Sequence, residues 1–164
     1  MKIVLLLAVI VSSALVAFGQ PARVEANDIK VLEGPRWTGS LSYLDYSSNK
    51  TTSIASDLIV ERLPDNERGW KFDFKYPNEP RADSSSFVTI APDGTSFNGQ
   101  RVISRLRDAN GLTIVTESEG TDNNKKAMFR FTYSLTGSTF SIKKEVKTEG
   151  SNEFFERNVY NWTR

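Results

Sequence analysis

Lys144 is the residue of this sequence best placed to recognise an anion. It is in phase with Phe140, Ile142 and Val146, and these positions alternate with polar residues. Because the side chains of a β-strand alternate between its two faces, this spacing predicts a lysine on an otherwise apolar face. If that face points to an interior, the ammonium could pair with the carboxylate of a ligand. Alternatively, Lys144 lies near a rim and its long side chain reaches solvent.

The last predicted strand, residues 153–162, carries other side chains that could do chemistry. Its apolar residues fall on both faces, so the alternation does not decide whether Glu156 or Arg157 points inward. A buried glutamate with a raised pKa could act as a general acid beside Tyr160 or Tyr43, without a metal or cofactor. Both assignments stay open at this point.

Other charged residues are predicted to lie on outer faces. Arg105 is out of phase with the apolar Val102 and Leu106, and Lys143 is out of phase with Ile142. Both are therefore expected to be solvated surface groups.

The chain of 164 residues contains no Cys and no His. These absences exclude disulfides, thiol chemistry, serine–histidine triads and His-ligated zinc or haem. Acidic and basic side chains balance once Lys2 is set aside, so no basic field favours nucleic acid. The composition therefore predicts neither a nucleic-acid partner nor a metal or other cofactor.

The N-terminal residues are predicted to direct export. Lys2 forms a short basic region, residues 3–18 form an apolar region, and small residues at 17 and 19 fit a cleavage site after residue 19. The alternative is an uncleaved anchor, but the apolar run is shorter than the ~20 residues that span a bilayer. We expect a signal peptide at 1–19, no stable membrane span after its removal, a flexible lead-in at 20–30 and a secreted or periplasmic domain at 31–164.

From residue 31 on, the sequence predicts one strand after another. Trp70, Phe72 and Phe74 alternate with charged residues, and this period of two recurs along the chain. Turn-forming sequences such as Asn110-Gly111 separate the runs. The predicted strands are 37–46, 52–63, 70–76, 87–91, 96–107 with a bend at 98–99, 112–119, 127–135, 139–148 and 153–162. A meander of this length avoids exposed edges by closing, so we expect an all-β, single antiparallel up-and-down barrel of eight to ten strands.

Two short motifs refine this expectation. Gly34 and Trp37 stand at the start of the first predicted strand, and Arg157 lies on the last. The arrangement resembles the calycin group, which comprises lipocalins, fatty-acid-binding proteins and bacterial lipocalin-like proteins. In those barrels a Trp on the first strand closes one end and an Arg from a late strand stacks on it. The resemblance implies a lipocalin-like barrel in which Arg157 stacks on Trp37.

A barrel of this size is either filled by side chains or holds one small ligand. Together, its inward aromatic residues would form a cavity for a small hydrophobic or amphipathic molecule. Three alternatives remain: the rings only pack a core, the barrel is a cofactor-free enzyme that uses Tyr, Glu and Arg, or it is an envelope interaction module with an exposed apolar patch. The residues predicted to bind the ligand are Trp37, Tyr43, Trp70, Phe72, Phe74, Phe129, Phe131, Tyr133, Lys144, Glu156, Arg157 and Tyr160.

Overall fold

The computed structural model describes residues 21–164. The predicted signal peptide lies outside the described residues. Ten antiparallel strands form one sheet, which confirms the predicted all-β class. The strands are β1 (Trp37–Asp45), β2 (Lys50–Arg62), β3 (Gly69–Lys75), β4 (Ser84–Thr89), β5 (Ser96–Phe97), β6 (Gln100–Asp108), β7 (Gly111–Asp122), β8 (Lys125–Thr136), β9 (Thr139–Thr148) and β10 (Phe155–Thr163). A short helix, α1 (Ala26–Lys30), precedes them, and a 3-10 turn (Pro80–Ala82) lies before β4.

The sheet curls into a nearly closed up-and-down barrel. Strands that follow each other in sequence pair in the sheet, and β1 also pairs with β10. The seam of the wall lies between β4 and β5, where Ile90 and Phe97 form a single bridge. The predicted bend at residues 98–99 is the turn that separates β5 from β6.

The two ends of the barrel differ in what covers them. We call the end where α1 packs with Trp37, Phe140 and Trp162 the closed end. The opposite end is where the hairpin turns 46–49 and 123–124 join their strands, and we call it the open end.

The segment predicted to be a flexible lead-in is packed across the closed end. Val24 and Ile29 of this segment are almost completely buried in the same core as the barrel residues, as is Leu32 just after it. Flexibility was expected because isolated apolar residues in a short polar segment show no period. Only the end of the barrel supplies an apolar surface that buries them.

A buried carboxylate fixes α1 to the barrel wall. Asp28 is 1% exposed, and it accepts hydrogen bonds from Arg105 at 2.7 and 2.8 Å and from Arg107 at 2.9 Å. Burial opposes the ionised form of Asp28, but the bonds from Arg105, the Glu25 backbone N–H and Arg107 outweigh it and hold the pKa below its usual value. Arg105 is therefore not the solvated surface group that its phase predicted.

Arg164, rather than Arg157, stacks on Trp37. Its guanidinium carbon lies 4.1 Å from the ring centroid, and it donates hydrogen bonds to backbone carbonyls in the segment 31–33. Arg157 cannot take this position, because it lies at the opposite end of β10. The expected Trp–Arg contact is present, but a different arginine makes it.

Candidate functional site

The barrel encloses a cavity of about 190 Å³ beside the closed-end core. This volume is below the ~300–1,000 Å³ of typical drug-sized sites, so the cavity suits a compact molecule. Its wall combines aromatic and aliphatic side chains with a smaller number of polar groups. The lining residues are Phe72, Phe74, Ser86, Val88, Asn98, Phe131, Tyr133, Ile142, Lys144, Asn158 and Tyr160.

Lys144 lines this cavity, as its phase on β9 predicted. Its ammonium lies 3.9 Å from the ring centroid of Phe129 and 5.8 Å from that of Phe131. Within residues 21–164 it makes no hydrogen bond and no ion pair. Burial lowers the pKa of Lys144, the Asp122 carboxylate opposes this shift, and the Arg157 guanidinium adds to it. The cavity thus holds a cation whose contacts are aromatic faces.

Gly120 on β7 makes room for one of these rings. A Cβ atom at this position would lie 2.2 Å from the ring of Phe129, which is closer than atoms can approach. The missing side chain therefore lets Phe129 extend along the inner face and support the Lys144 ammonium.

A β-bulge brings Arg157 to the open end. The register between β9 and β10 shifts at this residue, and such an insertion re-aims a side chain. Its guanidinium carbon lies 4.1 Å from the ring centroid of Tyr46, and its Nε is 3.7 Å from a carboxylate oxygen of Asp122. It also donates a short hydrogen bond to the carbonyl of Leu44.

The contact between Tyr46 and Asp122 crosses the open end. Tyr46 follows β1 and Asp122 ends β7, and three other strands separate β1 from β7 in the sheet. The Tyr46 hydroxyl donates a short hydrogen bond to Asp122. Burial, together with this bond, raises the pKa of Tyr46 to about 12. We call Tyr46, Asp122 and Arg157 the mouth cluster, because their mutual contacts join β1, β7 and β10 at the open end.

Tyr160 in the cavity wall is paired with Tyr76 behind it through their hydroxyl groups. The hydroxyl oxygens of Tyr76 and Tyr160 are 2.8 Å apart. The Tyr160 ring stacks on Trp162, with ring centroids 4.9 Å apart. Burial and the bond to Tyr76 raise the pKa of Tyr160, so its hydroxyl stays protonated near neutral pH. It can offer a hydrogen bond but not a negative charge.

The structure brings half of the predicted ligand-binding residues to the cavity wall. These are Phe72, Phe74, Phe131, Tyr133, Lys144 and Tyr160. Phe129 and Arg157 adjoin the wall through their contacts with Lys144 and Tyr46. Trp37 and Trp70, by contrast, are completely buried in the closed-end core.

The remaining two predicted residues do not line the cavity. Tyr43 lies opposite Asn158 on the neighbouring strand but is not part of the wall. Glu156 is exposed and pairs in register with Glu145, on the outer face of the barrel. The proposed general acid is therefore absent from the cavity, because the bulge reverses the phase of β10 between Glu156 and Asn158.

Several polar residues of the site were not predicted from the sequence. Asn98 lines the cavity from a turn, and Asn158 enters it beside the bulge. Asp122 ends β7, and its partner Tyr46 is 76 positions away in the chain. No local signal marks such a contact, because only the closure of the barrel creates it.

Three further observations concern the described residues. Within residues 21–164 there is no group of three or more His, Cys, Asp or Glu side chains that could hold a metal ion. A larger depression of about 690 Å³ lies on the rim formed by β7, β8 and β9, and it is open to solvent. Among the described residues, no helix has the length and apolar character needed to cross a membrane.

Comparison with known proteins gives no assignment. The chain matches no protein-family model, and no curated protein matches its sequence. The barrel is compatible with a calycin-like fold through its topology.

Proposed function

We propose that this protein is an exported, lipocalin-like barrel that binds a small amphipathic anion in its cavity. The apolar part of the ligand would lie among Phe72, Phe74 and Phe131, and Lys144 would pair with its acidic head. The observation that carries the proposal is the Lys144 ammonium, which lines an aromatic cavity without an ion-pair partner among the described residues.

The energetics of burial support this role. A charge removed from water is costly unless an opposite charge or hydrogen bonds compensate it. The rings beneath Lys144 compensate in part, since a cation–π contact contributes about 0.5–2 kcal/mol. A ligand carboxylate would add a charge-assisted hydrogen bond of about 1.5–3 kcal/mol. The buried charge of Lys144 is therefore compensated more completely when an anion is bound than when the cavity is empty.

The other parts of the proposal have separate support. The basic and apolar N-terminal residues of the sequence favour export to the periplasm or the exterior. The antiparallel meander and the stacking of Arg164 on Trp37 favour a calycin relationship.

Calorimetric titration with octanoate and octanol tests the proposed ligand class. The two probes have the same chain length and differ in the head group. We expect octanoate to bind, and Lys144→Met to weaken it about tenfold or more, because the variant loses the charged donor. Octanol should bind the wild type and Lys144→Met similarly.

Lys143→Met is the matched control. Lys143 neighbours Lys144 on β9, but its ammonium pairs with Glu145 at 3.1 Å on the outer face. This variant should bind octanoate like the wild type. Absence of octanoate binding, or equal losses in the two variants, would contradict the proposal.

A further inference from the structure

We infer that Asp122 is a specificity-determining residue that restricts the cavity to head groups carrying a single negative charge. The inference rests on the proposed function, since it concerns the ligand of the same site. It follows from the charged side chains that strands far apart in the sequence bring together at the open end.

The local net charge is set by three side chains, two of the mouth cluster and one of the cavity wall. Lys144 and Arg157 are cations, and Asp122 is an anion whose side chain is 11% exposed. Asp122 lies two positions after Gly120 on β7 and so shares its inner face, where the Phe129 ring meets the Gly120 backbone and contacts the Lys144 ammonium. Arg157 directly precedes Asn158, which lines the cavity. One positive charge is therefore left over, which matches a monoanion.

Asp122 also occupies the positions that a second anionic charge would need. Its carboxylate accepts a hydrogen bond from the Tyr46 hydroxyl and lies 3.7 Å from the Arg157 guanidinium. Arg157 is thus partly neutralised before any ligand enters. A dianionic head would have to displace Asp122 from these partners or lie beside its negative charge, and like charges in such a setting repel strongly.

Asp122 is the acidic side chain of the mouth cluster, and the other acidic side chains nearby are placed differently. None of the residues that line the cavity among residues 21–164 is an Asp or a Glu. Glu119 and Glu156 lie near the same end, but they are exposed. Asp45 also lies at this end, but its carboxylate accepts hydrogen bonds from Ser47 and Ser48 in the adjoining turn. The discrimination between one and two charges is therefore assigned to Asp122 alone.

The test compares octanoate with octyl phosphate at pH 7.5, where an alkyl phosphate carries close to two charges because its second pKa is about 6. Affinities are measured by calorimetry for the wild type, Asp122→Asn and Glu119→Gln. Asparagine keeps the shape of Asp122 and can still accept the hydrogen bond from Tyr46. Glu119→Gln removes an exposed carboxylate from the same strand, and circular dichroism verifies that each variant is folded.

We expect the wild type and Glu119→Gln to prefer octanoate. Asp122→Asn should reduce that preference about tenfold or more, mainly by improving the binding of octyl phosphate. An unchanged ratio of the two affinities, or an equal gain for both probes, would overturn the inference. If neither probe binds the wild type, it is the proposed function that fails.

Discussion

The closed and open ends of this barrel differ in how their charged side chains are paired. At the closed end, the buried Asp28 is matched by Arg105 and Arg107 at hydrogen-bond distances. At the open end, Lys144 faces aromatic rings, and the ion pair between Arg157 and Asp122 is longer, at 3.7 Å. The buried charge of the closed end is matched by charged partners, whereas among residues 21–164 the Lys144 ammonium near the open end has no ion-pair partner. This contrast separates the part of the barrel that holds the fold from the part suited to a ligand.

The largest effect is expected from Asp28→Asn at the closed end. The substitution removes the buried carboxylate that Arg105 and the more exposed Arg107 share, and it leaves only the longer contact of Arg105 with Glu25, at 3.9 Å. Breaking a buried ion pair costs about 3 kcal/mol. Urea unfolding should show this loss in the free energy of unfolding. Asp57→Asn is the control, because Asp57 pairs with the exposed Arg36 at 3.4 Å and such surface pairs contribute about 1 kcal/mol or less.

Acid titration refines this result. Because folding lowers the pKa of Asp28, its stabilisation is fully present above the usual value of 3.8 and is lost as pH falls through the folded value. The difference in the free energy of unfolding between wild type and Asp28→Asn should therefore become smaller below that pH. Equal losses for Asp28→Asn and Asp57→Asn at neutral pH would remove the energetic contrast between the ends.

A smaller effect of opposite sign is expected from Lys144→Met at the open end. Burial lowers the pKa of Lys144, which means that folding disfavours its charged form. Replacing it by an apolar side chain of similar length should raise the free energy of unfolding of the ligand-free protein by up to about 1 kcal/mol. Lys143→Met should change it by about 0.5 kcal/mol or less. Marked destabilisation by Lys144→Met would mean that Lys144, like Asp28, stabilises the folded state.

The most gradual effect is the pH dependence of anion binding. The Lys144 ammonium is charged below its pKa, and burial places that pKa below the usual 10.5. The affinity for octanoate should therefore fall as pH rises toward and through the lowered pKa. Lys144→Arg should remove this decline, because arginine stays charged over the whole range. A decline of equal steepness in that variant would assign the titration to another group.

Most of the wall of this barrel could be predicted from the sequence. The alternation through Trp70, Phe72 and Phe74 predicted both a strand and its buried face, and burial confirms it for Trp70 and Phe72. The phase of Lys144 with Ile142 predicted that the two share a face, and the structure decides between the two alternatives by placing Lys144 in the cavity wall. These successes share one cause, since strand side chains alternate and an apolar face is buried.

The failures lie where the period of two is interrupted or absent. On β10 the bulge at Arg157 shifts the phase, so Asn158 rather than Glu156 enters the cavity. Before the first strand, Asp28 was assigned to a flexible segment, because nothing local shows that two arginines on β6 are its partners.

By itself, the sequence determined the antiparallel strands, their turns and most of their inner faces, because these depend on neighbours a few residues apart. Only the tertiary structure decided which arginine stacks on Trp37 and which charges meet at the entrance. Barrel closure brings Tyr46, Asp122 and Arg157 together from distant strands, and their charges act over distances in space rather than along the chain.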